Sequence, residues 1–332
     1  MGGAGEESTV RANREAFGSV ALVPRVLVDV TRRSLRTTVL GVQVEAPVAI
    51  APMSYHQLAH PDGEAGTARA AGKEGVLCVV ATFASQSLEE VAATATGPLW
   101  FQLYCLRDRA VTKDLANRAR MAGYRALVLT VDAPVLGYRD RDSRNCFRLP
   151  AHVAPINIAA PRAHVSELAE LNQVLVDPSM TWPDVEWLRD LTDLPIVLKG
   201  ILARNDAARA ASIGIQGILV SNHGGRQVDG ALASLRALPG VLDAVAGRCE
   251  VYLDGGVRRG SDVVKALALG ARMAFLGRPV LCGLAVRGER GVRDVISCCK
   301  EELDRTMAAC GCADIADIGP WLVRSVPSGV GG

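Results

Sequence analysis

Eight short β-rich runs alternate with Ala-, Glu- and Arg-rich stretches of helical length along this 332-residue chain, and that alternation limits its possible folds more than any other feature. The candidate strands are residues 46–52, 76–83, 99–104, 126–132, 195–200, 217–222, 250–256 and 273–278. Helix-like segments lie near 63–74, 86–95, 109–122, 182–190, 204–213, 231–246 and 260–269. A strand that leads into a helix and then a parallel strand forms a βα unit. Eight such units predict an α/β fold, a closed (β/α)8 TIM barrel whose active site lies at the C-terminal ends of its strands. With 49% apolar residues the chain can bury a large core, and barrels of this size are routinely one domain, so residues 1–332 are expected to form one.

The strand ends carry the chemistry. Ser221-Asn222-His223-Gly224-Gly225-Arg226-Gln227 follows the apolar run Gly217-Ile218-Leu219-Val220. A histidine there is suited to act as a base, because its ordinary pKa lies near neutrality. Arg226, three residues on, offers a planar fork that matches a carboxylate. Downstream, Val251-Tyr252-Leu253-Asp254-Gly255-Gly256-Val257-Arg258-Arg259-Gly260 and Met273-Ala274-Phe275-Leu276-Gly277-Arg278-Pro279 repeat the pattern of strand, glycine and arginine. Such ends expose backbone N–H groups to an anion, and two in succession match the phosphate site that barrels build after strands 7 and 8. The other ends are polar too: Pro52-Met53-Ser54, Gln102-Leu103-Tyr104, Thr130-Val131-Asp132 and Lys199-Gly200. Each alone has an ordinary structural reading, Tyr104 as an interfacial aromatic and Thr130 as a β-former. Lys199 is harder to dismiss, since a buried lysine is costly without an anionic partner.

Bulk properties narrow the partners. Net charge is +2 with acids and bases interspersed, which points neither to nucleic acid nor to an anionic membrane surface. No apolar stretch approaches the roughly 18–20 residues of a membrane helix, and the first residues lack the apolar core of a signal peptide. The nine cysteines are scattered, without CxxC spacing. Cys78, Cys249 and Cys282 sit in apolar runs and read as small core residues. A metal site built from five dispersed histidines is not expected. Residues 133–181 are long for a βα loop, and the stretch 140–180 is expected to be a flexible lid. Its base carries Arg139 toward the mouth, while Arg141, Arg144 and Arg148 read as a solvated face.

The ordered phrases APMS, FQLY, TVDAP, VLKGI, SNHGGRQ, LDGGVRRG and LGRP strongly resemble the FMN-dependent 2-hydroxy-acid oxidases, the glycolate oxidase family, nearly end to end. TFASQSLEEV, GIQGILVSNHGGRQ and EVYLDGGVRRG are most similar to the animal 2-hydroxyacid oxidase 2 branch, which favours longer chains. The resemblance implies that the chain binds FMN, takes a small 2-hydroxy acid and O2, and forms a homo-oligomer, a tetramer by family habit. It implies His223 as the base, Asp132 as the group that holds the imidazole, and Arg226 and Arg139 as the carboxylate clamp, with Tyr104 bonding substrate. Lys199 would stabilise the reduced flavin ring. Gln102, Thr130, Ser221 and the backbone of Pro52, Met53 and Ser54 would bond the ring edge. Asp254 would take the ribityl hydroxyls, while Gly255, Gly256, Val257, Arg258, Gly277 and Arg278 would hold the phosphate. Phe83 stands where the short-chain glycolate enzymes carry tryptophan, which implies a wider mouth.

Three departures accompany the resemblance. The family's N-terminal segment ends in a substrate-binding tyrosine just before Gly3-Ala4-Gly5-Glu6-Glu7, so a version lacking it is expected to be less active and less soluble. Ala81 replaces a flavin-bonding serine. Ser328-Gly329-Val330-Gly331-Gly332 is not a peroxisomal tripeptide, so a peroxisomal location follows from resemblance alone. A weak or inactive FMN-binding paralogue and an FMN-dependent dehydrogenase remain open alternatives. Flavin-dependent isomerases share the late phosphate site but lack the His-Gly-Gly-Arg motif.

Overall fold

The computed structural model describes residues 2–158 and 175–326. Eight parallel strands close into a barrel: β1 (Val48–Ile50), β2 (Leu77–Ala81), β3 (Leu99–Leu103), β4 (Leu127–Thr130), β5 (Ile196–Ile201), β6 (Gly217–Val220), β7 (Glu250–Leu253) and β8 (Met273–Leu276). Each pairs with the next, and β8 pairs with β1 through Ala274↔Val48 and Leu276↔Ile50. The eight predicted runs are these strands. Several runs outlast their strands: β4 stops at Thr130, β6 at Val220 and β7 at Leu253, because the polar residues that follow leave the ladder to form the mouth.

Strand side chains alternate between two faces. Ala49, Leu77, Val79, Trp100, Val128, Val197, Leu219, Tyr252, Met273 and Phe275 pack together inside the barrel. Val48, Ile50, Cys78, Val80, Phe101, Leu129, Leu198, Ile218 and Leu253 face the surrounding helices. Trp100, Tyr252 and Phe275 fill the interior as an aromatic cluster with centroids 5.5–6.2 Å apart. The hairpin Thr37–Val39/Val42–Val44 adds Val39 and Val44 to this interior packing.

Among the described residues the α-helices are α1 (Ser8–Gly18), α2 (Gly63–Lys73), α3 (Leu88–Thr94), α4 (Arg109–Met121), α5 (Asp140–Arg144), α6 (Trp182–Leu191), α7 (Arg204–Ser212), α8 (Ser234–Val245), α9 (Gly260–Ala268) and α10 (Arg278–Ala309). Local chemistry fixes some of their starts. Ser87 and Glu90 cap α3 reciprocally, with the backbone N–H groups of Glu90 and Ser87 donating to the opposite side chain at 3.2 and 3.0 Å. Helices α1, α5 and α10 lie beyond the predicted set. α10 breaks at Arg287 and at Gly288, whose φ is 58°.

Two cysteine expectations need correction. Cys78 is buried, but Cys249 is half-buried and Cys282 is exposed. Val280 and Leu284 are the buried positions of that part of α10, and residue 282 projects from the opposite side. Of the expected lid 140–180, residues 159–174 lie outside the described residues. The flanks pack on the barrel: Val153, Asn157 and Ile158 are buried, Asn157 Oδ1 accepts the Leu88 N–H at 2.8 Å, and Leu106 bridges Val176. Residues 328–332 also lie outside the description.

Candidate active site

In β3 to β7 the inward alternation runs one step past the apolar layers and delivers a polar ring. Two residues beyond Trp100, Val128, Val197, Leu219 and Tyr252 come Gln102, Thr130, Lys199, Ser221 and Asp254, all buried. Gln102 Nε2 donates to Thr130 Oγ1 at 3.0 Å, and Lys199 Nζ donates to Ser221 Oγ at 3.1 Å. Lys199 also lies 3.5 Å from Asp254, each side chain less than a tenth exposed. Asp254 Oδ1 is buried without a partner. At β2, Ala81 brings no hydroxyl to the ring. The adjacent Thr82 Oγ1 donates instead to the Gln102 carbonyl at 2.6 Å.

His223 stands at the lip of this ring. Its Nδ1 meets Asp132 Oδ1 at 2.9 Å, and its backbone N–H donates to Ser221 Oγ at 3.0 Å. Its φ is 58°, a left-handed conformation that histidine adopts more readily than branched residues do. Burial lowers the imidazole from its ordinary value against the pull of Asp132, so the ring is a neutral base near pH 7. Burial pushes the Asp132 carboxyl upward, but facing His223 and Lys199 outweigh it and hold the group below the usual carboxylate range. An ionised Asp132 fixes the imidazole proton on Nδ1 and leaves Nε2 as the basic atom.

Beside this pair sits a cationic wall. Burial, then Arg139 and Arg278, bring the Arg226 guanidinium down to about 9. Burial likewise lowers Arg139, whose Nη1 lies 3.7 Å from Asp142 and whose Nε is buried without a partner. Arg226 Nη1 donates to the Gly2 carbonyl. Burial and the Asp132 charge push the Tyr104 hydroxyl up, so it stays protonated and can donate. Its ring stacks on Phe83, centroids 5.2 Å apart. Buried, mutually repelling arginines with a spare donor need an anion between them.

A second cationic group follows β7 and β8. Burial, then Arg14 and Arg278, lower Arg258, while burial lowers Arg278, whose Nη1 donates to the Gly224 carbonyl at 2.9 Å. The turn beside them needs glycine: Gly255 and Gly256 have φ of 88° and 91°, and a Cβ on Gly256 would lie 2.3 Å from the Asn13 carbonyl. Val257 is buried as core, leaving only its backbone for a ligand, while Pro52, Met53, Ser54 and Gly277 are half-buried at adjoining strand ends. These features fit the FMN that the resemblance implies. Arg258 and Arg278, cations drawn into the fold beside the glycine turn, suit a phosphate, Asp254 has a spare acceptor oxygen, and the buried Lys199 suits an electron-rich ring.

Contacts and mutual charge effects thus join His223, Asp132, Lys199, Ser221, Asp254, Tyr104, Arg139, Arg226, Arg258 and Arg278, and Gln102 with Thr130, while Pro52, Met53, Ser54, Gly255, Gly256, Val257 and Gly277 occupy the adjoining strand ends. The structure adds supporting groups whose partners lie far away in the sequence. Gln227 Nε2 donates to the Asp132 and Val135 carbonyls at 3.1 and 2.8 Å, tying the base loop to the β4 loop. Asp142 faces the arginine wall, and Asn13 reaches Asn222 from α1.

The FMN-dependent dehydrogenase family matches residues 1–325. An L-lactate oxidase from Nostoc sp. is 49% identical over 330 residues, 96% of this chain and 90% of that protein. Human 2-hydroxyacid oxidase 1 is 44% identical over 338 residues, 99% of this chain and 91% of its own. A mandelate oxidase solved with (S)-4-hydroxymandelic acid superposes with a TM-score of 0.91 at 45% identity, covering 96% of this chain and 90% of that one. The polar ring, the paired base and the two cationic groups therefore sit in a chain that belongs to the FMN-dependent dehydrogenase family, among the 2-hydroxy-acid oxidases, with FMN as cofactor.

Proposed function

We propose that this enzyme oxidises (S)-2-hydroxy acids with a medium-to-long or aromatic side chain to 2-oxo acids, with O2 reduced to hydrogen peroxide. The observation that carries this reading is the 2.9 Å contact between His223 Nδ1 and Asp132 Oδ1, with the arginine wall beside it. His223 Nε2 takes the substrate proton, and Asp132 stabilises the imidazolium that forms. Arg226 and Arg139 hold the carboxylate, and Tyr104 donates to the substrate, which together fix the α-carbon. When bound, FMN would supply the acceptor for the α-carbon hydrogen and its electron pair, the hydroxyl proton going to His223. Lys199, Gln102, Thr130, Ser221 and the backbone at Pro52, Met53 and Ser54 would hold the ring, Lys199 adding positive charge where the ring becomes electron-rich. Asp254 would take the ribityl chain. Gly255, Gly256, Val257, Arg258, Gly277 and Arg278 would take the phosphate.

The side-chain preference is supported by Phe83, whose single ring, stacked on Tyr104, leaves more room than an indole would. The test is anaerobic reduction of the purified yellow protein by a series of 2-hydroxy acids, from glycolate to 2-hydroxyoctanoate and mandelate. Bleaching by the longer (S)-acids, followed in air by peroxide equal to the 2-oxo acid formed, is expected. A chain that none of them bleaches overturns the reading.

A further inference from the structure

Helix α1 reaches the loop that carries His223 through one buried amide. Asn13 and Asn222 are 2% and 5% exposed and bond reciprocally: Asn13 Nδ2 donates to Asn222 Oδ1 at 2.9 Å, and Asn222 Nδ2 donates to Asn13 Oδ1 at 2.8 Å. Asn222 Oδ1 also accepts the Gly225 N–H at 3.1 Å, and its Nδ2 also donates to the Leu232 carbonyl at 3.0 Å. The Asn222 amide is therefore saturated, half of it by Asn13. Asn13 Oδ1 further receives the Ser234 N–H at 3.3 Å, and Ser234 Oγ accepts the Asn222 N–H at 3.2 Å.

Asn222 lies between Ser221, which bonds Lys199, and His223, whose left-handed φ of 58° aims the imidazole at Asp132. That backbone conformation persists only where surroundings hold it. The same helix braces the second loop. The Asn13 carbonyl packs against Gly256, and Arg14 Nη1 donates to the Gly256 carbonyl and pairs with Asp262 at 3.1 Å.

We infer that Asn13 is a positioning residue for the reaction: its amide locks Asn222, and through it holds His223 in the conformation that presents a base to the substrate. The inference rests on the oxidase reading above. Asn13→Ala takes one of two partners from each polar atom of the Asn222 amide and leaves the Ser234 N–H without Asn13 Oδ1, so flavin reduction at saturating substrate should fall about tenfold to a hundredfold, kcat falling more than KM rises. Asn13→Asp supplies the sharper test. Its protonated carboxyl can donate to Asn222 Oδ1 as the amide does, while its ionised form sets two acceptors against each other. Burial raises a carboxyl at this position. The ratio of Asn13→Asp to wild-type reduction rates should therefore be near one at about pH 5.5 and fall toward the Asn13→Ala value by about pH 8.5.

Melting temperature and the FMN dissociation constant of each apoprotein, measured alongside, separate positioning from scaffolding; FMN affinity should change less than threefold. A ratio that stays flat with pH overturns the assignment. So does an Asn13→Ala protein that melts lower yet keeps the wild-type rate at low temperature. If neither variant folds or takes up FMN, the contact serves folding and the assignment also fails. The wild-type control is read first. If no 2-hydroxy acid bleaches it, the oxidase reading fails, whereas a flat ratio in a bleachable wild type defeats the Asn13 assignment alone.

Discussion

The two sides of the barrel mouth are built from different materials. After β4 to β7 stand Asp132, Lys199, Ser221, His223 and Asp254, a set of charges and hydrogen-bonding groups linked at 2.9–3.5 Å, with Thr130 tied to Gln102 across the β3–β4 boundary. After β1 to β3 stand Met53, Tyr55, Phe83 and Tyr104, where the defining contact is a ring stack and the Tyr55 hydroxyl is buried without a partner. Electrostatics organise the first side and shape organises the second. On the proposed reading, proton transfer and charge stabilisation fall to the first side and the choice of substrate side chain to the second, where Tyr104 also donates to the substrate. Substitutions on the first side should change rates for every substrate alike. Substitutions on the second should change the ranking among substrates.

His223→Ala is the strongest test of the polar side. Loss of the base should cost about a hundred- to ten-thousand-fold in flavin reduction for all 2-hydroxy acids, with FMN retained. Stopped-flow reduction of the variant measures it, and a loss below tenfold would show that another group accepts the proton.

Asp132→Asn removes the charge that stabilises the imidazolium while preserving size. A hydrogen bond to a charged group is worth up to about 3 kcal/mol, so a loss of about a hundredfold is expected. The pH profile carries the sign. Burial lowers the His223 imidazole from about 6.5, so the wild-type rate should climb to its plateau through a midpoint below that value. Asp132 pulls in the opposite direction, favouring the protonated ring. Without its charge the midpoint of the kcat/KM acid limb should move to still lower pH, on a lower plateau. A midpoint that moves up would falsify the pairing.

Arg226→Lys preserves charge but loses the planar fork, so affinity and rate should both fall, about tenfold to a hundredfold. Comparing a 2-hydroxy acid with its amide checks the cause. The variant should lose discrimination between them, because the preference for the carboxylate is what the fork supplies.

The same contrast explains which parts were legible in the sequence. The barrel could be read because short continuous apolar runs and βα alternation are local signals repeated eight times. The polar side could be read because His223, Arg226, Lys199 and Asp254 are chemically costly residues at the ends of apolar strands. The supporting groups could not. Asn13 and Asn222 are 209 residues apart, and neither carries a charge or a periodic signal that predicts their pairing. Helix α1 shows a sparse apolar face, with Thr9, Asn13, Ala16 and Phe17 buried, which reads weakly by hydrophobic period. Cys282 was misplaced for a related reason. An apolar neighbourhood in sequence does not tell which side of a helix faces the core.

Phe83→Trp should have the smallest effect on overall rate and the clearest effect on ranking. Phe83 is 7% exposed and lies against Tyr104 with an interplanar angle of 27°. An indole at this position must displace that stack or project into the mouth, since close-packed surroundings yield little. A narrower mouth penalises a long or aromatic side chain by steric exclusion but leaves a carboxylate and hydroxyl already held by Arg226, Arg139 and Tyr104 untouched. A difference of one methylene in such a pocket is worth about 1–3 kcal/mol, and partial relaxation of the stack places the expected change at the lower end. The kcat/KM for 2-hydroxyoctanoate or mandelate should therefore fall about tenfold, while that for glycolate changes less than about threefold. Steady-state kinetics on the three acids decide it. An equal loss for all three would mean that Phe83 orients Tyr104 for catalysis, and the division of the mouth into a reacting side and a selecting side would no longer hold.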